Sequence, residues 1–221
     1  GGTEAQKKVF YTGLYHALIH PNVLSDVNGE YPAMESSEIR TAEGNRYTVF
    51  SLWDTYRNLH QLLTLVYPER QLEMVRSMVG MYREWGWLPK WELYGRETFT
   101  MEGDPSIPVI VDTWMKGLRD FDMDAAYEAM RKSATTPGAR NRMRPDIDPY
   151  IEKGYVPLGF YARDLSGDNS VSHALEYYIA DHALSLLADS LGKKDDAALF
   201  RARSLGYKNY YSTESGTFRP I

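Results

Sequence analysis

The spacing of apolar residues constrains this fold more than any other feature of the sequence. They recur at intervals of three and four along most of the 221 residues, which predicts about seven helices, while strand signals are few. The predicted helices cover residues 3–20, 51–67, 69–84, 107–119, 122–133, 170–191 and 195–211. Short turns join them in pairs, and the longest and most aromatic loops fall between the pairs. The sequence therefore predicts an all-α fold built of helical hairpins.

Helical hairpins can stack as an open solenoid or close into a toroid. No segment repeats at a period of about 30 to 50 residues, which counts against consensus solenoid repeats and favours part of a toroid. Residues 22–45 are polar but not of low complexity, so we expect an ordered loop there. A short extended segment is predicted over residues 47–50, and residues 135–170 are expected to be mostly loop.

The amino-acid composition excludes several kinds of binding partner and of chemistry. Hydrophobic residues make up 43% and aromatic residues 13% of the chain, which is enough for a sizeable core. The net charge is -5 and no basic cluster is interleaved with aromatics, so nucleic acid is not expected as a partner. No apolar run reaches the roughly 20 residues of a membrane span. The chain contains no cysteine, which excludes disulfides, a thiol nucleophile and cysteine-based metal sites.

Residues 86–104 combine aromatic rings with acids, in a segment too rich in glycine and proline for one helix. Flat rings stack on the C–H faces of a sugar, and carboxylates accept hydrogen bonds from hydroxyls. This stretch, hereafter the central loop, therefore suits a hydroxyl-rich ligand. The alternative is that Trp87 and Trp91 only close the ends of neighbouring helices, and both interpretations stay open at this point.

The central loop carries four carboxylates, at Glu92, Glu97, Glu102 and Asp104. A pair about 6.5 to 9.5 Å apart would suit inverting glycoside hydrolysis, and one about 5 to 5.5 Å apart the retaining kind. Most surface acids are only solvated, and Glu97 is the one we would test first.

A second candidate segment runs from Trp53 to Arg57 and carries Asp54. An acid in the first turn of a helix is also an ordinary helix start, with modest support from an arginine three residues on. Because Trp53 precedes the acid directly and a polar loop precedes both, we favour a functional role.

Histidines do not predict a zinc site. His173 and Glu176 lie three residues apart, with His182 beyond, so one helix face could present mixed ligands. The four-residue spacing of a zinc helix occurs only at His16 and His20, with no glutamate beside the first, and we interpret these two as structural. No G-x-S-x-G elbow and no phosphate-binding loop occurs.

Seven collinear segments closely resemble glycoside hydrolase family 92. In chain order they are F-Y-T-G-L-Y-H from Phe10, S-D-V-N-G-E-Y from Ser25, Y-T-V-F-S-L-W-D-T-Y-R from Tyr47, G-W-L-P-K-W-E-L from Gly86, E-T-F-T-M-E-G from Glu97, S-V-S-H-A-L-E-Y from Ser170 and Y-K-N-Y from Tyr207. Members of that family are exo-acting α-mannosidases, many of them α-1,2-specific, that use calcium and invert the anomeric configuration. The resemblance implies an (α/α)6 toroid, a mannose-containing oligosaccharide as substrate and a periplasmic or secreted location.

The resemblance also implies which residues line the sugar pocket. The residues that match the family's pocket segments are Trp53, Asp54, Arg57, Trp87, Trp91, Glu97, Met101 and Gly103. The chain departs from the family where Gly103-Asp104-Pro105 replaces a common G-Y-H, and where the segment from Ser172 to His182 lacks one acid and one aromatic residue.

Three segments that the resemblance associates with the general acid, the general base and the calcium ion would lie downstream of Ile221. We therefore expect residues 1–221 to be an incomplete (α/α)6 catalytic domain that lacks its C-terminal portion and is inactive alone, with no catalytic residue and no metal ligand. An uncovered half toroid would expose an apolar face and favour self-association. The rival hypotheses are a non-catalytic carbohydrate-binding or scaffold module and another helical-toroid enzyme that degrades glycans.

Overall fold

The computed structural model describes residues 1–160 and 169–221, and these residues are mainly helical. Their α-helices are α1 (Glu4–Ala17), α2 (Leu52–Thr55), α3 (Leu59–Val66), α4 (Pro68–Trp85), α5 (Ser106–Met115), α6 (Met123–Thr135), α7 (Ile147–Lys153), α8 (Ser170–Ser190) and α9 (Lys194–Ser204), with a 3₁₀ turn at Leu205–Asn209. The strands are β1 (Asn22–Val23), β2 (Glu30–Pro32), β3 (Ile39–Thr41), β4 (Tyr47–Thr48), β5 (Phe50–Ser51), β6 (Trp91–Leu93), β7 (Arg96–Glu97), β8 (Tyr211–Ser212) and β9 (Thr217–Phe218). All nine strands in the described part of the chain are short, and the predicted all-α class is confirmed.

Two apolar clusters hold the helices together. The larger cluster joins α4, α5, α6, α8 and α9, and includes the fully buried Met78, Ile110, Met130, Leu187 and Phe200. The smaller one is rich in tyrosine and joins α7, α8 and Tyr210, which follows the 3₁₀ turn. Helix α8 packs along α9 and also against α5, so it connects the two clusters.

The predicted continuous helix over residues 51–67 is wrong, because the chain breaks between α2 and α3. Asn58 has φ -156°, which no helical residue adopts, and the Gln61 side chain donates to the Tyr56 carbonyl at 2.8 Å. The side-chain amide thus occupies a carbonyl that a continuous helix would have bonded to a backbone N–H. At this break, the side chains of Tyr56 and Arg57 both reach Glu176 on α8.

Two other predictions of the fold differ in detail from the structure. Residues 135–170 contain helix α7, which proline and glycine in the sequence concealed; Pro149 stands in its first turn and Gly154 ends it at φ 77°. Part of this predicted loop, residues 161–168, lies outside the described residues. The last predicted helix ends at Ser204 and continues as a 3₁₀ turn rather than to residue 211.

The predicted ordered loop between α1 and α2 is confirmed. Strand β1 pairs with β4, and β2 pairs with β3. A buried ion pair then ties the loop to α4, with Arg46 Nη2 2.8 Å from Glu84 Oε2. The same carboxylate accepts hydrogen bonds from the Tyr31 hydroxyl at 2.9 Å and the Met34 amide at 2.7 Å.

Strands β5, β6 and β7 form a small antiparallel sheet that positions the candidate site. Ser51 is paired with Trp91, and Glu92 with Glu97. Because α2 begins directly after β5, the sheet brings the start of α2 beside the central loop. The predicted extended segment over residues 47–50 thus corresponds to β4 and the start of β5.

Helix α1 buries none of its side chains, and Val9, Phe10 and Tyr15 are each more than 60% exposed. Such an apolar face is what we expect of an uncovered surface, while self-association stays a prediction. In the part of the chain that the structure describes, no helix is long and apolar enough to cross a membrane.

Candidate functional site

Glu176 on α8 is the centre of the candidate site. Its Oε1 accepts from Arg57 Nη2 at 2.9 Å, and its Oε2 accepts from the Tyr56 hydroxyl at 2.6 Å. The side chain of Glu176 is 14% exposed and that of Arg57 is 45% exposed, so the pair lies at a solvent-facing wall rather than in the core. The break between α2 and α3 therefore brings an acid, an arginine and a tyrosine together from distant parts of the sequence.

Burial raises the pKa of the Tyr56 hydroxyl, and the hydrogen bond to Glu176 raises it further. The Tyr56 hydroxyl therefore stays protonated at physiological pH and donates a hydrogen bond to Glu176. With Arg57 on the other oxygen, each carboxylate oxygen already accepts one hydrogen bond, and the remaining lone pairs can accept hydrogen bonds from a ligand.

Gly103 of the central loop lies against Glu176. A β-carbon built on Gly103 would be 2.6 Å from the β-carbon of Glu176, and the glycine has φ 83°. Both the contact and the backbone conformation therefore require glycine at this position. Two residues earlier, the exposed Met101 is also left-handed, at φ 64°.

Trp53 and Asp54 share the single turn of α2 that precedes Arg57. The Arg57 guanidinium lies 4.6 Å from the centre of the Trp53 ring, a cation–π contact. Asp54 is exposed and accepts a hydrogen bond from Ser51. Five of the predicted site residues, Trp53, Asp54, Arg57, Met101 and Gly103, are thus on elements that meet at Glu176.

The two tryptophans of the central loop lie in different surroundings. Trp91 is half-buried beside Ser51 in the small sheet, and its indole N–H has no hydrogen-bond partner within the described ranges. Trp87 stacks instead with Lys132 of α6, whose ammonium is 4.6 Å from the ring centre and donates to the Gly86 carbonyl at 2.8 Å. The contacts of Trp87 therefore agree with the alternative interpretation, in which it closes the end of a neighbouring helix.

Glu97 is directed into the loop rather than toward solvent. It is 7% exposed, and its carboxylate accepts from the backbone amides of Lys90 at 2.7 Å, Trp91 at 3.0 Å and Phe99 at 2.9 Å. Burial raises the pKa of Glu97, while these three hydrogen bonds lower it. In this geometry Glu97 holds the central loop in shape.

His16 and His20, which we interpreted as structural, are exposed. His16 and His20 line an open cavity of about 530 Å³ together with Asp54, Asn58 and Leu59. His173, in contrast, is buried, and its Nδ1 is 3.2 Å from the Tyr177 hydroxyl. His173 is thus in the core while Glu176 is at the surface, so the two side chains do not form one ligand site.

A buried polar network lies behind the site and was not predicted. Arg144 is fully buried, with Nε 3.0 Å from Asp104 and Nη1 2.7 Å from Asp181. The Tyr150 hydroxyl donates to Asp181 at 2.8 Å, and the Ser133 hydroxyl donates to Asp104 at 2.6 Å. Sequence patterns cannot reveal such a network, because Arg144 follows a proline- and glycine-rich segment that predicts only loop.

The sequence analysis considered Glu176 only as a possible ligand beside His173, and it did not single out Tyr56. Both lie within segments that carry the family resemblance, and Tyr56 separates Arg57 from the predicted site residues Trp53 and Asp54. The missing information was the break between α2 and α3, since a continuous helix would have directed Tyr56 and Arg57 to different sides.

Comparison with known proteins relates this chain to glycoside hydrolases. The profile of the glycosyl hydrolase family 92 catalytic domain matches residues 1–221. The chain is also 26% identical over 223 aligned residues, 99% of its own length, to a protein of Arthroderma benhamiae named an uncharacterized secreted glycosidase.

Solved structures of family GH92 enzymes are also similar to this chain. The chain is similar to a family GH92 α-mannosidase from Bacteroides thetaiotaomicron, solved in complex with mannoimidazole, with a TM-score of 0.87, 36% identity and 97% of this chain covered. It is also similar to a family GH92 inverting mannosidase from Bacteroides thetaiotaomicron VPI-5482, with a TM-score of 0.89, 31% identity and 100% of this chain covered. It spans 27% and 29% of those chains, and 24% of the Arthroderma protein.

These matches place the chain among the glycoside hydrolase families. More narrowly, the chain belongs to glycosyl hydrolase family 92, whose profile covers all its residues.

Proposed function

We propose that the protein carrying this chain is an inverting exo-α-mannosidase, with α-1,2-linked mannose as the preferred substrate, and that these residues form one wall of its sugar pocket. The observation that carries the proposal is that Arg57 and Gly103 both contact Glu176, with Trp53 stacked on Arg57, in a chain 36% identical to a mannosidase solved with mannoimidazole. We further propose that the helices belong to an (α/α)6 toroid and that residues 1–221 are part of its catalytic domain.

In this proposal the wall binds the terminal sugar without reacting with it. The carboxylates of Glu176 and Asp54 accept hydrogen bonds from sugar hydroxyls, and the guanidinium of Arg57 donates one. Trp53 and Trp91 present flat apolar faces to the C–H bonds of the ring. The ion pair fixes the Glu176 carboxylate before the sugar arrives, so little conformational entropy is lost on binding.

The general acid and general base are proposed to come from residues outside this chain. The positions of Glu97 and Glu176 support this, since three backbone amides bind the first carboxylate and Tyr56 and Arg57 bind the second. The acid would give its proton to the glycosidic oxygen as the C–O bond breaks. The base would take a proton from the water that attacks the opposite face of the anomeric carbon. The isolated 221 residues are therefore expected to be inactive.

Calcium is proposed for the whole protein but not for these residues. Within residues 1–160 and 169–221, no group of three or more acidic, histidine or cysteine side chains could hold a metal ion. The calcium ligands are therefore proposed to come from other parts of the protein.

The test is hydrolysis of α-1,2-mannobiose by the natural protein that contains this chain, followed by proton NMR of the first product formed. Inversion predicts β-mannose before mutarotation. Release of α-mannose first would contradict the inverting mechanism, and binding of the disaccharide without turnover would favour a carbohydrate-binding module. An unsaturated product from an acidic polysaccharide would indicate a lyase. Because the Arthroderma relative is named a secreted glycosidase, we also propose a periplasmic or secreted location.

A further inference from the structure

Arg144 bridges the two elements that meet at the candidate site. Asp104, which its Nε contacts at 3.0 Å, directly follows Gly103 in the central loop. Asp181, which its Nη1 contacts at 2.7 Å, is on α8, the helix that carries Glu176. One fully buried guanidinium thus connects the loop and the helix behind the point where Gly103 touches Glu176.

Further contacts restrain both ends of this bridge. The Ser133 hydroxyl on α6 donates to Asp104 at 2.6 Å, and the Tyr150 hydroxyl on α7 donates to Asp181 at 2.8 Å. The guanidinium carbon of Arg144 also lies 4.9 Å from the ring centre of Tyr177, the residue after Glu176. The planar guanidinium reaches two carboxylates at once because its donors point in different directions, which a lysine ammonium on a flexible stem does less well.

We propose that Arg144 is a positioning residue, which holds Gly103 against Glu176 and so fixes the sugar-binding carboxylate in place. This proposal rests on the proposed function for its effect on catalysis, but not for its effect on structure. Among the described residues, the Arg144 side chain contacts Asp104, Asp181 and Tyr177 and none of the proposed pocket residues, so it acts through the two carboxylates.

The variant that tests this is Arg144→Lys in the natural protein, because it keeps the buried charge and weakens the two-sided bridge. We expect hydrogen–deuterium exchange in peptides spanning residues 98–107 to become about tenfold faster. For hydrolysis of α-1,2-mannobiose, we expect KM to rise about tenfold with a smaller change in kcat, since the wall binds the sugar and does not react with it.

Two controls separate positioning from general loss of stability. Arg131→Lys alters a half-exposed arginine–aspartate pair, Arg131 with Asp196 at 2.9 Å, and should change neither measurement. Phe200→Leu weakens the larger core at a fully buried site and should lower the unfolding temperature without the selective change at residues 98–107. If Arg144→Lys does not fold, Asp181→Asn removes one side of the bridge and should give the same pattern, to a smaller extent.

The outcomes are distinct. If Arg144→Lys matches Phe200→Leu in both exchange and KM, the positioning role is wrong, even if the natural protein is an active mannosidase. If exchange changes selectively but the wild-type protein does not hydrolyse α-mannosides, the proposed function fails and the positioning role stands. Selective exchange together with a raised KM supports both.

Discussion

Gly103 and Glu176 are packed so closely that a β-carbon on the glycine would be 2.6 Å from the β-carbon of the glutamate. This contact joins the central loop to α8 at the residue that binds Tyr56 and Arg57. The glycine is therefore part of the wall itself, because any larger residue would have to displace the carboxylate or the loop.

Gly103→Ala tests this contact. We expect it to lower the free energy of unfolding by about 2 to 4 kcal/mol, the sum of left-handed strain and overpacking. Gly138→Ala is a matched control, since Gly138 has the same φ of 83° and a β-carbon added there would have no atom within 4 Å. It should cost only the strain, about 1 kcal/mol. Equal losses in urea unfolding would show that the contact with Glu176 is unimportant.

The buried position of His60 predicts that the folded protein loses stability in acid. It is fully buried, with its ring nitrogens 2.9 Å from Gln71 and 3.0 Å from Thr55, and burial lowers its pKa from 6.5 to about 4. Between these two values the unfolded chain binds a proton that the folded protein does not. His60 therefore destabilises the fold as the pH falls from about 6.5 to about 4, by up to ~3 kcal/mol.

The measurement for His60 is urea unfolding from pH 7 to pH 4 of the wild type and His60→Asn, which keeps polar side-chain atoms but does not titrate in this range. We expect the wild type to lose more stability than the variant over this range. Parallel pH profiles would contradict the assignment. Buried carboxylates also titrate here, but they are common to both proteins and cancel in the difference.

The loop over residues 22–51 should depend on the buried pair of Arg46 and Glu84. Glu84→Gln keeps the size of the side chain but leaves Arg46 without a charged partner, and we expect a loss of about 3 kcal/mol in the free energy of unfolding. The control is Glu38→Gln, which alters the exposed pair with Arg40 and should leave the unfolding midpoint unchanged. If both variants unfold at the same midpoint as the wild type, the pair does not anchor the loop.

The sequence predicted the fold class because helical periodicity survives in most of the helices, as in α4 and α6. It did not predict the break after Tyr56, since that depends on the Gln61 side chain and on the contact of Arg57 with a partner 119 residues away, Glu176. Helix α7 was missed because proline in a first turn resembles proline in a loop.

The candidate site was predictable only in part, for a similar reason. Aromatic and acidic composition located the central loop, but it could not distinguish Glu97, which binds backbone amides, from an acid that faces a ligand. Arg144 and its two carboxylates come from three separate segments, so only the folded chain shows their relation.

The central claim is that Glu176 binds the sugar, and calorimetric titration of the natural protein with mannoimidazole tests it most directly. Asp196→Asn is the matched control, because Asp196 also accepts from a tyrosine hydroxyl at 2.6 Å, that of Tyr127, and from an arginine at 2.9 Å, that of Arg131. We predict that Glu176→Gln weakens binding by about tenfold or more, while Asp196→Asn binds like the wild type. Wild-type affinity in a folded Glu176→Gln variant would contradict the account.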